Sequence, residues 1–525
     1  MALKDLFKSA ARRTPLATGR NHHASPSYTL DSKTALAQLA STGCFAQTFY
    51  VSGTEQLELV LLHAEKCSPE YVAKVAIHAR QRGHMKDMPA FLLAHLATRG
   101  PAGLAALKAS FDRVIDNGRM LRNFVQILRS GQLGRKSLGS APKKLVQRWL
   151  MSRTPMQLFR DSVGQDPSIA DVIKMVHPKP TSDEQRAMFA YLIGKPHDVS
   201  KLPAPVLAYE AFKRGEGNGE VRAQLRGVPS RMLTSLKLGT ADWTAIAERA
   251  RWHETRMNLN TFHRHGVLRD PAMVAKVAAR LADPEAVRHA KVFPYQLLTA
   301  YTHATQVPGP IREALQDAME HSVANVPLLE GRVVLCPDVS SSMSGAITGY
   351  RRGATSMVRC VDVAGLVTAA LLRKNPLARV IPFDTAVRQL TLNPRDSVMT
   401  IAGMLGRLCG GGTSCSVPLA QLNREKAKVD TVIYVSDNES WMDAKGHSGW
   451  RSGTAMMDEW TKLRRRNPKA KLVCIDLTPN TQKQAIERAD ILNVGGFSDS
   501  VFDVVAEFVN GEGTHWVDHV ERITL

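Results

Sequence analysis

Long apolar runs are what this chain lacks first. No stretch of about 18 or more uninterrupted apolar residues occurs, so no membrane-spanning helix is expected. Cysteine is sparse as well: seven in 525 residues (Cys44, Cys67, Cys336, Cys360, Cys409, Cys415, Cys474), with no CxxC pair. An odd and scattered set predicts reduced thiols in the cytoplasm rather than a disulfide frame. Neither an HExxH helix nor a Cys/His zinc spacing is present, and His263 and His265 around Arg264 are a poor substitute. Acidic residues are also in deficit: 69 Lys and Arg against 48 Asp and Glu leave a net charge of +21. The deficit is uneven. Residues 1–330 hold 45 basic against 28 acidic residues, a net of +17, whereas residues 331–525 hold 24 against 20, a net of +4. A polyanion partner for the first part follows from this balance, because Lys and Arg that neutralise phosphates release counterions. Anionic lipid competes for the same charge, but no single strongly basic amphipathic helix stands out to carry it.

What is present divides the chain in two. The N-terminal "MALKDLFKSAARRTPLATGRNHHASPS" (1–27) is basic and Ser-rich without an apolar signal core, which fits a mobile leader or an organelle transit peptide. Residues 30–325 then read as helix after helix. "EQLELVLLHAEK", "PEYVAKVAIHARQRG", "MPAFLLAHLATRG", "PAGLAALKASFDRVID" and "RMLRNFVQILRSG" carry apolar residues at helical spacing between Gly, Pro and Ser-Pro breaks. Paired short helices of this kind predict a HEAT- or TPR-like solenoid, although no repeat shows residue identity. From about 330 the rhythm changes. "RVVLCPD", "ARVIPFD", "TVIYVSD" and "KLVCIDL" are short Val/Ile-rich runs suited to buried parallel strands. Helix-like stretches at 355–373, 397–408, 416–427 and 454–466 lie between them, predicting a doubly wound α/β domain. The boundary is placed near 325–332.

Three of these strands end in aspartate, Asp338, Asp384 and Asp437, at the sheet edge where doubly wound folds place their sites. Asp338, Ser340 and Ser342 form a DxSxS pattern. "CGGGTSCS" adds Thr413 behind Gly410, Gly411 and Gly412, and "VIYVSDNES" adds Asp437. Five oxygen-bearing side chains from three loops make a set that a hard divalent cation, Mg²⁺ above all, would accept. Hydroxyl-rich ligation leaves little negative charge for a second metal, and no Lys or His base stands at a fixed spacing. Ligand binding is therefore expected there rather than catalysis.

That motif set closely resembles the metal-ion-dependent adhesion site (MIDAS) of von Willebrand factor A domains. The whole chain resembles the Ro ribonucleoprotein autoantigen family, whose N-terminal module is called TROVE. The resemblance rests on "CFAQTFYVSGTEQ" (44–56), "GRKSLGSAPKKLVQRWL" (134–150), "IADVIKMVHPKP" (169–180), "HAKVFPYQLLTAY" (289–301), "GGGTSCSVPL" (410–419), "SDNESWMD" (436–443) and "ILNVGGF" (491–497). Departures are Pro337, Ser341, Ser498 and the basic stretch "GYRRGATSMVR" (349–359).

The resemblance implies a leader (1–27), a HEAT-like helical-repeat ring, or toroid (28–328), and a von Willebrand factor A domain with a MIDAS (329–525). It further implies single-stranded 3′ ends of misfolded RNA threading a positive hole, Y-like small noncoding RNA on the outer surface, and an exoribonuclease partner such as polynucleotide phosphorylase. The role expected is a non-catalytic ribonucleoprotein scaffold for RNA quality control. The alternatives are an adaptor whose metal site captures an acidic protein ligand, and a Mg²⁺-dependent RNA-processing enzyme. Candidate RNA contacts are the cluster Arg80, Arg82, His84 and Lys86, the run Arg135, Lys136, Lys143, Lys144 and Arg148, and the group Arg160, Lys174, His177 and Lys179. Arg256, Asn258 and Asn260 add guanidinium and amide groups suited to RNA edges.

Overall fold

The computed structural model describes residues 14–43, 45–164, 166–233, 236–290, 292, 294–323, 326–350, 358–440, 453–496, 499–511 and 515–525. Cys44, Ser498, residues 1–13 of the leader, the core of the 349–359 stretch and the end of "SDNESWMD" lie outside them.

Helices fill the first part, each started by a local signal. Ser52 and Glu55 close a capping box on Gly53–Lys66, and Ser168 with Asp171 does the same for Ile169–Val176. Side chains then tie one helix to another. The Trp149 indole N–H donates to the Ile115 carbonyl at 2.6 Å, just past the end of Gly100–Val114. Trp252 does likewise to Leu281 at 3.1 Å, at the end of Pro271–Ala282. Such bonds satisfy helix-end carbonyls that would otherwise be buried without a donor.

The C-terminal part holds a five-stranded parallel sheet, in the order β4–β3–β5–β6–β8. Its strands are β3 (Val333–Pro337), β4 (Arg379–Val380), β5 (Thr431–Ser436), β6 (Lys471–Asp476) and β8 (Ile491–Gly495). Strand alternation feeds two cores. Ile433, Val435, Val473 and Ile475 face the large core shared with the helical array, while Val432, Tyr434, Leu472 and Cys474 face a second core with Trp460 and Leu419. The helices expected between the strands are Cys360–Lys374, Val398–Gly406, Val417–Arg424 and Ala455–Arg466.

This domain touches both ends of the helical array. Helix Ser32–Thr42 packs on β8, and Gln38 crowds Gly495 so closely that an added Cβ would meet it at 2.9 Å. At the other end Glu320, on Gly309–Ser322, pairs with Arg373 at 2.9 Å and accepts from the Val398 N–H at 2.7 Å. The array and the A-type domain thus form one closed helical-repeat ring, as expected.

Both ends of the chain bridge the two parts. The leader over 1–27 is ordered in its last part. β1 (Gly19–Arg20) pairs with β2 (Pro26–Thr29), which pairs with β7 (Gln482–Lys483), so backbone hydrogen bonds dock this arm on the A-type domain. The last helix of the segment 329–525, Trp516–Glu521, packs on Ser32–Thr42 and Pro69–Gln81 of the array as well as on β8.

Candidate metal centre and arginine-lined cavity

The carboxyl edge of the parallel sheet gathers all five predicted ligands. Asp338, Ser340, Ser342, Thr413 and Asp437 are each no more than 5% exposed. Asp338 leaves β3 and accepts the Ser340 N–H at 2.8 Å and the Ser436 hydroxyl at 2.6 Å. The Ser340 and Ser342 hydroxyls lie 3.1 Å apart. The Gly-rich loop is zipped onto this turn: Gly410 N–H donates to Val339 O at 2.8 Å, and Ser341 N–H donates to Gly411 O at 3.0 Å. Gly411 needs to be glycine, for its φ is +75° and a Cβ would meet Asp384 Oδ2 at 2.8 Å. Asp384, the third strand-ending aspartate, is engaged elsewhere, paired with Arg388 at 2.7 Å.

Electrostatics single out what is missing from this cluster. Burial raises the pKa of Asp338, and burial together with the Asp338 charge raises that of Asp437, each opposed only partly by serine hydroxyls. Among the described residues Asp437 Oδ2 and Glu439 Oε2 are buried without a hydrogen-bond partner. Two orphaned carboxylate oxygens beside three buried hydroxyls fit a hard divalent cation. No cluster of three or more His, Cys, Asp or Glu side chains is arranged to hold a metal among the described residues. A hydroxyl-rich set is not of that kind, so the two observations agree.

Sequence reasoning missed what surrounds this cluster. Glu439, fully buried, accepts from Asn480 at 2.5 Å and pairs with His22 Nδ1 at 2.8 Å. Ser436 holds Asp338, and Tyr50 from the helical array lies over Ser342. The glutamate was within the quoted "SDNES", but only the fold brings His22 and Tyr50 to it.

The second site is a cavity of about 590 Å³ inside the helical array. Arg119, Arg122, Arg160, Arg231, Arg249 and Arg251 line it, against two acids, Asp161 and Glu254. Asn258 and the largely exposed Met257 complete one wall. Lys86, the N-cap of Asp87–Leu96, is desolvated and crowded by Arg119 and Arg80, which lowers its ammonium pKa.

The predicted RNA residues do not stay together. Arg160 and Asn258 line the cavity, and Lys86 stands exposed at the start of Asp87–Leu96. Lys143, Lys144, Lys174, His177 and Lys179 stand on neighbouring surface segments, because Gln147, one turn from Lys143, donates to the Val176 and His177 carbonyls at 2.6 and 3.3 Å. His177 caps its helix in the left-handed region at φ 53° and turns its imidazole outward. Arg82 and Lys136 are exposed elsewhere. The rest are engaged in holding the fold. Arg80 grips Asp116 at 2.8 Å, Arg148 grips Asp112 at 2.6 Å, and Arg135 donates to the carbonyls of Ala97, Ser137 and Leu138. Arg256 and Asn260, one turn apart, staple their helix to Gln296 and His303, each through a 3.1 Å bond. His84, at φ 53°, accepts from Arg80 through its carbonyl at 3.4 Å.

Comparison with known proteins follows this geometry. Residues 332–509 match the Ro60 vWA domain family. The "RNA-binding protein RO60" of Deinococcus radiodurans is 25% identical over 545 aligned positions, spanning 97% of this chain and 99% of that protein. The protein of the same name from Caenorhabditis elegans is 23% identical over 46% of this chain and 38% of its own. The crystal structure of the Deinococcus radiodurans RO (RSR) protein superposes with a TM-score of 0.63 at 23% identity, covering 92% of this chain and 100% of that one, a likeness of fold. The resemblance to the Ro family stands. No helix among the described residues is long and apolar enough to cross a membrane.

Proposed function

We propose that this chain is an RNA-binding protein of the Ro type, which takes single-stranded RNA ends into the arginine-lined cavity and a small Y-like RNA onto the outer surface. The observation that carries the reading is the cavity wall, where Arg119, Arg160, Arg231, Arg249 and Arg251 stand against two carboxylates, Arg122 being held by the Gly118 and Val163 carbonyls. Planar guanidinium forks bind phosphates bidentately and stack on unpaired bases, so the wall suits a single strand better than a stiff duplex. The outer surface offers Lys143, Lys144, Lys174, Lys179 and an outward His177, which can donate to phosphate or stack on a base. The two sites carry separate jobs: one senses an end and the other anchors a structured RNA, through which an exoribonuclease such as polynucleotide phosphorylase can be tethered.

The buried cluster of Asp338, Ser340, Ser342, Thr413 and Asp437 would hold Mg²⁺, which supplies positive charge for docking a carboxylate. The protein itself acts as a cytoplasmic scaffold. Crosslinking in the native cell followed by sequencing of bound RNA tests the reading. An enriched small structured RNA, lost on Lys143→Ala plus Lys144→Ala, is expected. No enriched RNA would leave a metal-dependent protein adaptor in its place, and Mg²⁺-dependent cleavage lost in Asp338→Ala would make it an enzyme.

A further inference from the structure

The mouth of the metal cluster is covered by this chain itself. Residues 45–51 belong to the helical array, yet they run along the loop that follows the DxSxS turn. Tyr350 N–H donates to the Gln47 carbonyl at 2.6 Å, and Gly349 is so close to Ala46 that an added Cβ would meet Ala46 Cβ at 2.9 Å. On the other side of the turn, Phe49 Cβ lies 3.6 Å from the position a Cβ would take on Gly345. Tyr50 follows, and Ser342 and the charges of Asp437, Glu439 and Asp338 lie around its hydroxyl.

The phenol ring is also clamped from outside. The docked arm lays His22 on it as a stacked pair, with centroids 5.5 Å apart and planes at 19°, and sets His23 edge-on at 5.5 Å. Phe49 meets the same ring edge-on at 4.8 Å. His22 is itself fixed by Glu439, and the adjacent Asn21 Nδ2 donates to the Ser440 carbonyl at 2.6 Å. Three chain segments therefore converge on one hydroxyl beside the metal cluster, and two of them come from outside the A-type domain.

From this geometry we infer that Tyr50 is an in-chain cap of the metal site, its hydroxyl filling the place that a partner's carboxylate would otherwise take. The inference rests on the divalent-cation reading of the site given above. The cap fastens the helical array to the A-type domain through the metal cluster, and an acidic partner gains access only when Tyr50 and the His22 arm lift away. A cap that is open in about a tenth of molecules or fewer lowers the apparent affinity of an outside carboxylate by about tenfold or more.

The test uses the full-length protein loaded with Mn²⁺, with metal binding read by the loss of the free-ion paramagnetic resonance signal. Glutarate serves as the carboxylate probe, read by calorimetry and by its effect on water-proton relaxation. Tyr50→Ala is expected to bind glutarate at least about tenfold more tightly than the wild type. Tyr50→Phe keeps the ring stack on His22 and removes only the hydroxyl, and it should raise the relaxation enhancement per bound Mn²⁺ by admitting water. Equal glutarate affinity in wild type and Tyr50→Ala, or unchanged relaxation in Tyr50→Phe, would overturn the cap while leaving the metal site standing. If the wild type holds no Mn²⁺ that Asp338→Ala loses, the metal reading itself fails and the cap falls with it.

Discussion

Acidification should loosen the seam at which the C-terminal helix closes the ring, and His78 sets the size of the effect. This histidine sits on Pro69–Gln81 with only 7% of its surface exposed, its ring edge-on to Trp516 of the last helix at 6.1 Å. Burial, with help from the charges of His519 and Arg82, pulls its pKa from 6.5 down to about 4. The unfolded chain therefore binds a proton that the folded chain refuses between those two values. Stability contributed by the neutral ring is full above pH 6.5 and is lost as pH falls towards 4. Between pH 8 and pH 5 the difference amounts to about 2 kcal/mol, at 1.36 kcal/mol per pH unit. Urea unfolding at the two pH values, followed through its first transition, measures it. With a slope of roughly 2 kcal/mol/M the midpoint should fall by about 1 M more in the wild type than in His78→Phe, which keeps an aromatic ring against Trp516. Identical pH dependence in the two proteins would refute the reasoning.

Three further outcomes are expected. Without divalent metal, Asp437→Asn should raise the melting temperature, since it removes one of two mutually repelling buried carboxylates, and it should abolish the stabilisation by added Mg²⁺ that the wild type shows. Gly411→Ala should cost about 1–3 kcal/mol in chemical denaturation, because it forces a side chain at φ +75° against Asp384. Arg256→Ala, which removes the staple to Gln296, should lower stability and leave salt-dependent RNA affinity unchanged. Arg160→Ala, on the cavity wall, should do the reverse.

How far the sequence alone could reach differs between the two sites. The metal cluster was legible because its ligands sit at fixed offsets from strand ends, and a parallel sheet delivers strand ends to one edge. β8 was quoted as a family motif but not read as a strand, and β4 proved to be two residues long, with only Phe383 of the rest of "ARVIPFD" pairing again, through isolated bridges. The cavity was barely legible. Arg119, Arg122, Arg231, Arg249 and Arg251 stand singly or in loose pairs, and a basic residue on a helix looks the same whether it faces the hole or the solvent. The dense runs drew attention instead, and there Arg135 and Arg148 turned out to hold helices and loops together. Within "RMNLNTFHRHG" helical periodicity could have separated Asn258 from Arg256 and Asn260, which lie four residues apart on the side that meets Gln296 and His303. His22 carried no signal and Tyr50 only its place in a family motif, because the residues they meet at the metal cluster are hundreds of positions away.

The central claim is that the arginine-lined cavity takes a single-stranded RNA end, and anisotropy of labelled RNA over a salt series tests it most directly. A hairpin with a single-stranded 3′ tail is compared with the same hairpin lacking the tail, on wild type and on Arg249→Glu plus Arg251→Glu. The tailed RNA should bind more tightly. Its log affinity should fall with log salt at a slope of about −3 if four or five phosphates are neutralised, and the double variant should lose the tail preference. Equal binding of tailed and blunt RNA by the wild type, or a tail preference untouched by reversing both arginines, would contradict the account.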